Sequence, residues 1–220
     1  TYANGTLTVA AKDLTITASA SNKVYDGNTT AAVTLTFTGL VGSETLGQTV
    51  GATFADKNVA NAKTVTVNSI TLSDGDNGGV ASNYSIATGQ TTTANITQLS
   101  SVTWNGNAGD GLWSSAANWA GSAIPDQNNV ATAVIPSAQS VTFDIDTVGT
   151  IGSTITNNGT LTFNGATDYT FGQVISGSGA LVKINTNTLT LSATNTFSGD
   201  TTISNGTIKL TGAVNAATDL

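Results

Sequence analysis

Apolar residues alternate strictly with threonine along many short runs, and that pattern limits the fold more than any other feature of the chain. Leu7–Val9 and Leu14–Ile16 point one way, while Thr6, Thr8, Thr15 and Thr17 point the other. The same period of two recurs at Val33–Leu35–Phe37, Val65–Val67, Val141–Phe143–Ile145, Leu161–Phe163, Leu189–Leu191 and Ile208–Leu210. A period of two describes a strand with one buried face. Threonine suits the other face, because its β-branch fits a pleated surface and its hydroxyl faces water. Turn dipeptides separate the runs at Asp26-Gly27, Asp74-Gly75, Asn158-Gly159, Asn164-Gly165 and Asn205-Gly206. No segment carries a helical stripe, so the predicted class is all-β.

Composition removes several kinds of chemistry. The 220 residues suit two modules of ordinary size, each able to bury a core. The chain has no cysteine and no histidine, hence no disulfides, no thiolate ligands and neither the usual general base nor the usual zinc ligand. Only 9% of residues are charged, a proportion that also occurs in solvated linkers, but the strict alternation is not that of a linker. A net charge of −7 cannot neutralise phosphates and is repelled by an anionic bilayer, so no nucleic-acid or membrane partner is expected. No apolar run reaches the roughly 20 residues of a membrane helix. No signal peptide opens the sequence, which leaves a cytosolic protein or a piece of something longer, and the second is expected.

The character of the chain changes near residue 100. Strands at sandwich spacing come before it. After it, Trp104, Trp113 and Trp119 crowd together, followed by short variations on one theme: Gly159-Thr160-Leu161-Thr162-Phe163, Gly179-Ala180-Leu181-Val182-Lys183, Asn187-Thr188-Leu189-Thr190-Leu191 and Gly206-Thr207-Ile208-Lys209-Leu210. Imperfect short repeats of this kind read as rungs of a stacked solenoid. A hairpin sandwich is the rival, because Asn-Gly also closes two-residue hairpins.

Several phrases resemble known families. Lys23-Val24-Tyr25-Asp26-Gly27-Asn28-Thr29-Thr30-Ala31 resembles the signature of the YDG modules of bacterial surface proteins. The likeness continues through Phe54-Ala55-Asp56-Lys57-Asn58-Val59, Lys63-Thr64-Val65-Thr66-Val67 and Asn83-Tyr84-Ser85 to Thr93-Ala94-Asn95-Ile96-Thr97, covering about residues 13–100. Residues 1–12 resemble the closing strand of a preceding module or a linker. Trp104-Asn105-Gly106, Gly111-Leu112-Trp113-Ser114 and Ala116-Ala117-Asn118-Trp119 are similar to a phrase that opens many autotransporter passenger regions. Residues 175–212 resemble the autotransporter-associated β-strand repeat, through Ile175-Ser176-Gly177-Ser178-Gly179-Ala180-Leu181, Asn195-Thr196-Phe197-Ser198-Gly199 and Thr201-Thr202-Ile203-Ser204-Asn205-Gly206. Lys183-Ile184-Asn185-Thr186 departs from that pattern, which commonly has a glycine-rich turn there. Together the resemblances imply a small β-sandwich module, immunoglobulin-like or β-grasp-like, and then a right-handed parallel β-helix over residues 101–220 with a tryptophan-rich cap at 101–125. They also imply a filamentous-haemagglutinin-like or autotransporter adhesin, secreted through an outer-membrane pore to a Gram-negative cell surface.

Candidate chemical sites are few. Asp144 and Asp146 share a strand face at a spacing that suits paired carboxylates, but alternation leaves both on the wet side of a strand whose core face is Val141, Phe143 and Ile145. Asp74-Gly75-Asp76-Asn77-Gly78 resembles the opening of a calcium loop and makes Asp74 and Asp76 weak calcium candidates, although residue 85 is serine where an EF-hand needs glutamate. A glycine-rich hairpin loop is the plainer reading. Asp26 is expected to be a turn residue and Tyr25 a packing ring. Trp104, Trp113 and Trp119 form a candidate sugar-stacking surface, weighed against capping of a solenoid end. Lys57 and Lys63 have no positioned serine partner. Asn4, Asn28, Asn83, Asn95, Asn158 and Asn205 begin glycosylation sequons of a kind that arises by chance in such a composition.

The expected function is that of a non-catalytic structural or adhesive segment, needing no cofactor. Its expected partners are the secretion pore during export and a host or bacterial surface receptor, glycans included. The alternative is a carbohydrate-binding or carbohydrate-processing β-helix.

Overall fold

A computed structural model of the chain describes residues 9–126, 128–145 and 151–213. The chain divides into two compact units. The first comprises residues 1–23 and 29–96, the second Val24–Asn28 and Thr97–Leu220. The described residues are all-β, with three single 3-10 turns at Ala81–Asn83, Ala116–Asn118 and Ala120–Ser122.

Seven strands build the first part of the chain: β1 (Lys12–Ala20), β2 (Lys23–Val24), β3 (Val33–Thr38), β4 (Leu46–Phe54), β5 (Ala60–Asp74), β6 (Tyr84–Ile86) and β7 (Thr91–Thr97). One sheet runs β3-β1-β6 and the other β2-β7-β5-β4. The alternating apolar positions supply the core: Leu14, Leu35, Phe54, Val65, Val67, Tyr84 and Ile96 are buried. Between Gly39 and Gly51 lie a turn and the start of β4. The register between β4 and β5 slips at Gly51/Ala52, where Gly51 faces Ser69 and Ala52 faces Val67, so that Asn68 is the extra residue of a bulge in β5.

The second unit is a β-solenoid. Its first strands are β8 (Leu99–Thr103), β9 (Val130–Ile135) and β10 (Ser140–Phe143). Then come β11 (Thr154–Asn157), β12 (Thr160–Phe163), β13 (Tyr169–Phe171) and β14 (Ile175–Ser176). The last are β15 (Ala180–Lys183), β16 (Thr188–Leu191), β17 (Thr201–Ile203) and β18 (Thr207–Leu210). They pair in parallel as three stacks, β8-β9-β11-β14, β10-β12-β15-β17 and β13-β16-β18, wound through about four turns. Parallel pairing removes the hairpin rival. Asn158-Gly159 turns a corner, with the Asn158 amide donating to Ile135 O of the preceding turn.

The register repeats every twenty residues in the middle stack, where Val141, Leu161, Leu181 and Thr201 pair in succession. Inward residues therefore form columns. Leu161, Leu181, Ile155 and Ile175 are fully buried, and each such side chain contributes roughly 1.5–3 kcal/mol over its exposed state. Outward residues are mostly threonine and serine, as the alternation predicts; Thr132 Oγ1 and Thr154 Oγ1 lie 3.1 Å apart on one stack. Gly159, Gly179 and Gly199 recur at one corner with the same spacing, and a Cβ on Gly179 would overlap the Gly159 carbonyl oxygen. Only glycine lets these corners approach so closely.

Two deletions test the register. Removing residues 180–199 takes out one whole turn and lets Leu161 and Phe163 meet Thr201 and Ile203; this variant is expected to keep its β circular-dichroism signal and a cooperative melt. Removing residues 180–189 breaks the register, and that variant is expected to lose the solenoid's share of the β signal and the cooperative melt of the second unit, leaving only the first unit's contribution.

Candidate functional site

The tryptophan segment forms a cap on the first solenoid turn. Its backbone adds to the stacks: the Trp113 amide donates to Thr142 O at 2.9 Å, and the Thr142 amide donates to Gly111 O at 2.8 Å. All three rings are buried, with Trp113 at 0% exposure. Trp119 meets Trp104 edge-on at 5.1 Å and Trp113 at 4.6 Å, and its Nε1–H donates to Trp113 O at 2.9 Å. Trp113 then packs on Phe143 at 5.2 Å, Phe143 on Phe163 at 5.0 Å, and both phenylalanines on Phe171. The indoles thus head an aromatic column running down the solenoid interior, and none offers a sugar an open ring face in this structure.

A polar knot ties the cap loop. Asn118, fully buried, donates from Nδ2 to Asp110 Oδ1 at 2.6 Å and to Leu112 O at 3.0 Å, and accepts from the Ala108 amide at 2.8 Å. Asp110 also accepts from the Leu112 amide at 2.9 Å and from Ser115 Oγ at 2.5 Å. Of these donors the Ser115 hydroxyl does most to hold the Asp110 carboxyl below its ordinary pKa, followed by the Leu112 amide and Asn118. The sequence reading singles out neither Asp110 nor Asn118, the latter figuring only within the Ala116-Ala117-Asn118-Trp119 phrase.

The acidic candidates are engaged in structure. Asp144 accepts from the Ser114 amide at 3.0 Å and from Ser114 Oγ at 2.5 Å, latching the cap to the end of β10. Asp146 lies outside the described residues, as do residues 1–8, including the expected Leu7–Val9 alternation up to Val9. Asp74 accepts from the Ala81 amide at 2.8 Å, while the Asp76 amide donates to Thr45 Oγ1 at 2.7 Å and its carbonyl accepts from Thr45 and Gly79. These bonds close a tight loop. Among the described residues no three Asp, Glu, His or Cys side chains gather as a metal would require. Lys63 pairs with Asp56 at 2.6 Å, and that bond is the main reason the Asp56 carboxyl sits below its ordinary pKa.

The Tyr25-Asp26-Gly27 phrase is built as a turn. Tyr25 is buried, with its hydroxyl 3.4 Å from Asp126 Oδ1. Asp26 Oδ1 accepts from the Asn28 amide at 3.1 Å, and Gly27 adopts φ +77°. Its carboxylate thus serves the local backbone.

Two measurements probe the cap. Trp113→Ala is expected to cost roughly 3–5 kcal/mol in urea unfolding, as removal of a fully buried large ring does. Asp110 has a folded-state pKa below its unfolded one, so its contribution is complete above the unfolded value and fades as pH falls through the folded one. Asp110→Asn should therefore melt lower than the parent at neutral pH, with the gap in Tm closing in strong acid.

Two family models match the chain. A YDG domain covers residues 10–94, and a passenger-associated-transport repeat covers residues 181–210, from β15 to β18. Comparisons with curated proteins and with solved structures give no match. The chain carries a YDG domain and a solenoid that bears a passenger-associated-transport repeat, a combination consistent with an autotransporter-type passenger.

Proposed function

We propose that the chain is a non-catalytic spacer and presentation segment of a secreted adhesin, exported through an outer-membrane pore and displayed on a Gram-negative cell. The observation that carries this reading is the solenoid bearing a passenger-associated-transport repeat, whose interior is filled by stacked aliphatic and aromatic side chains. Each turn adds about 4.8 Å of axial length, so residues are converted into reach. The absence of cysteine suits passage of an unfolded chain through a pore, and the acidic balance of −7 keeps displayed chains from associating. In this role the partners are the pore during export and a receptor on a host or neighbouring bacterial surface, for which the outward threonine-rich faces and the first unit are the available surfaces.

Fusion upstream of an outer-membrane secretion barrel tests the proposal. An amino-terminal epitope tag should become accessible to antibody on intact cells. The purified chain should release no product from a panel of soluble polysaccharides, with or without Asp144→Asn. Retention of the tag inside the cell, or a hydrolytic activity lost with Asp144, would sink it.

A further inference from the structure

Five Asn-Gly steps lie among the described residues, at Asn77, Asn105, Asn158, Asn164 and Asn205. The dipeptide is chemically labile, because glycine leaves its own amide nitrogen unshielded beside the asparagine carboxamide. The fold treats the five differently. Asn77 Nδ2 donates to Ser43 O at 3.0 Å. The Gly106 amide donates to Asn118 O at 3.3 Å, and Asn105 Oδ1 accepts from the Asn107 amide at 3.0 Å. The Gly159 amide donates to Asn157 Oδ1 at 3.2 Å, while Asn158 Oδ1 accepts from the Ser178 amide at 3.3 Å. Asn164 Oδ1 accepts from Asn185 Nδ2 at 2.7 Å, and Gly165 is buried. In each of these four a hydrogen bond to another group holds the carboxamide, and in two the glycine amide is engaged elsewhere as well.

Asn205 is arranged the other way. The Ser204 amide donates to Lys183 O at 2.9 Å and the Thr207 amide to Asn187 O at 3.2 Å, so both flanks of the step are anchored on the preceding turn. Between them the Gly206 amide donates to Asn205 Oδ1 at 2.8 Å. The Gly206 nitrogen therefore faces the carboxamide, whose Cγ lies one bond behind that oxygen. Asn205 is exposed, so its side chain has room to move and water reaches it. Glycine is also obligatory at the next position: φ is +77°, and a Cβ would overlap the Asn185 and Asn187 carbonyl oxygens. The corner thus imposes the labile dipeptide that it also positions.

We propose that Asn205 is a site of spontaneous deamidation in the folded chain, passing through a succinimide to a mixture of aspartate and isoaspartate. Hydroxide removes the Gly206 amide proton, and the nitrogen attacks Asn205 Cγ. The new C–N bond closes the ring, the Cγ–Nδ2 bond breaks, and ammonia leaves with a proton from water, which restores the hydroxide. Water then opens the ring. Breaking the bond from Gly206 N to Cγ gives aspartate; breaking the bond from Gly206 N to the Asn205 main-chain carbonyl carbon gives isoaspartate. One water enters and one ammonia departs, with nothing oxidised or reduced. Contact between nitrogen and carboxamide replaces a search through many side-chain positions. Both products add a negative charge to a chain already at −7. Isoaspartate also inserts one backbone atom between β17 and β18, which disturbs the pairing of Ile208 with Leu189 and of Leu210 with Leu191. The change is irreversible, and time and pH set its pace.

Peptide mass spectrometry of the whole chain, aged in the folded state at neutral and mildly alkaline pH and then digested in acid, tests this. A gain of about 1 Da should appear first at Asn205 and faster at the higher pH. The steps at Asn77, Asn105, Asn158 and Asn164 should lag several-fold. An isoaspartyl-specific methyltransferase should label the aged Asn205 peptide. In urea the five steps should react at similar rates, because the selectivity belongs to the fold. Asn205→Gln keeps a carboxamide but lengthens the path to the nitrogen, and its peptide should hold its starting mass. An unchanged Asn205 in the aged folded chain, a faster gain at any of the other four, the same ranking in urea, or a gain that persists at position 205 in Asn205→Gln would each overturn the proposal.

Discussion

Everything in the second unit depends on one backbone constraint: each turn of the solenoid finds its hydrogen-bond partners in the turns before and after it, in parallel and twenty residues away over most of its length. A single turn has neither a core nor a complete set of partners, so turns are stable only together. Once the ladder fixes the register, like positions must stack on like. Ile155 rests on Ile175 and Leu161 on Leu181, while outside Thr142 lies over Thr162 and Thr170 over Thr190. The side chains choose which face turns inward, and the ladder decides what each one meets.

Where the ladder breaks at corners, buried asparagines fill the gap. Asn195 accepts from the Ile175 amide at 2.9 Å and donates to Ala193 O at 3.0 Å; Asn157 donates to Ala180 O at 2.9 Å and accepts from the Gly159 amide. A side-chain amide carries both a donor and an acceptor, so it can stand in for a missing peptide group without leaving an unpaired polar atom in the core. Asn118 applies the same chemistry in the cap, and the Lys183 ammonium does so at the turn after β15. The fold thus accepts buried polar groups wherever the backbone cannot satisfy itself.

Strand identity was legible in the sequence because the Thr/apolar alternation has one physical meaning. Leu161, Phe163, Leu189 and Leu191 all face inward as their period requires. The twenty-residue register was harder to see, because a stack needs equivalent packing rather than equivalent residues. Phe143, Phe163, Lys183 and Ile203 occupy one column with little chemical likeness between them. Lys183 illustrates the difficulty: alternation puts it on the face of Leu181, yet a lysine at a strand end reads as solvated. Asp110 and Asn118 were hidden for a different reason. Each belongs to a dipeptide whose local meaning, a turn or a neighbour of tryptophan, is sufficient without the network that joins them. The sequence phrase with three tryptophans marked a site of organisation, and burial shows that what it organises is the end of the core.

The glycine corner has a consequence beyond its own geometry. Gly159, Gly179 and Gly199 abut so closely that the carbonyl of one occupies the place a side chain of the next would need. Displacing one corner therefore pushes on the following one, and the three positions are mechanically linked although each lies twenty residues from the next. Effects of paired changes along this seam are then expected not to add, because the second change meets a backbone already moved by the first. Such coupling gives the chain an epistatic spine, and its tolerance at any one corner is set by what its neighbours have already absorbed.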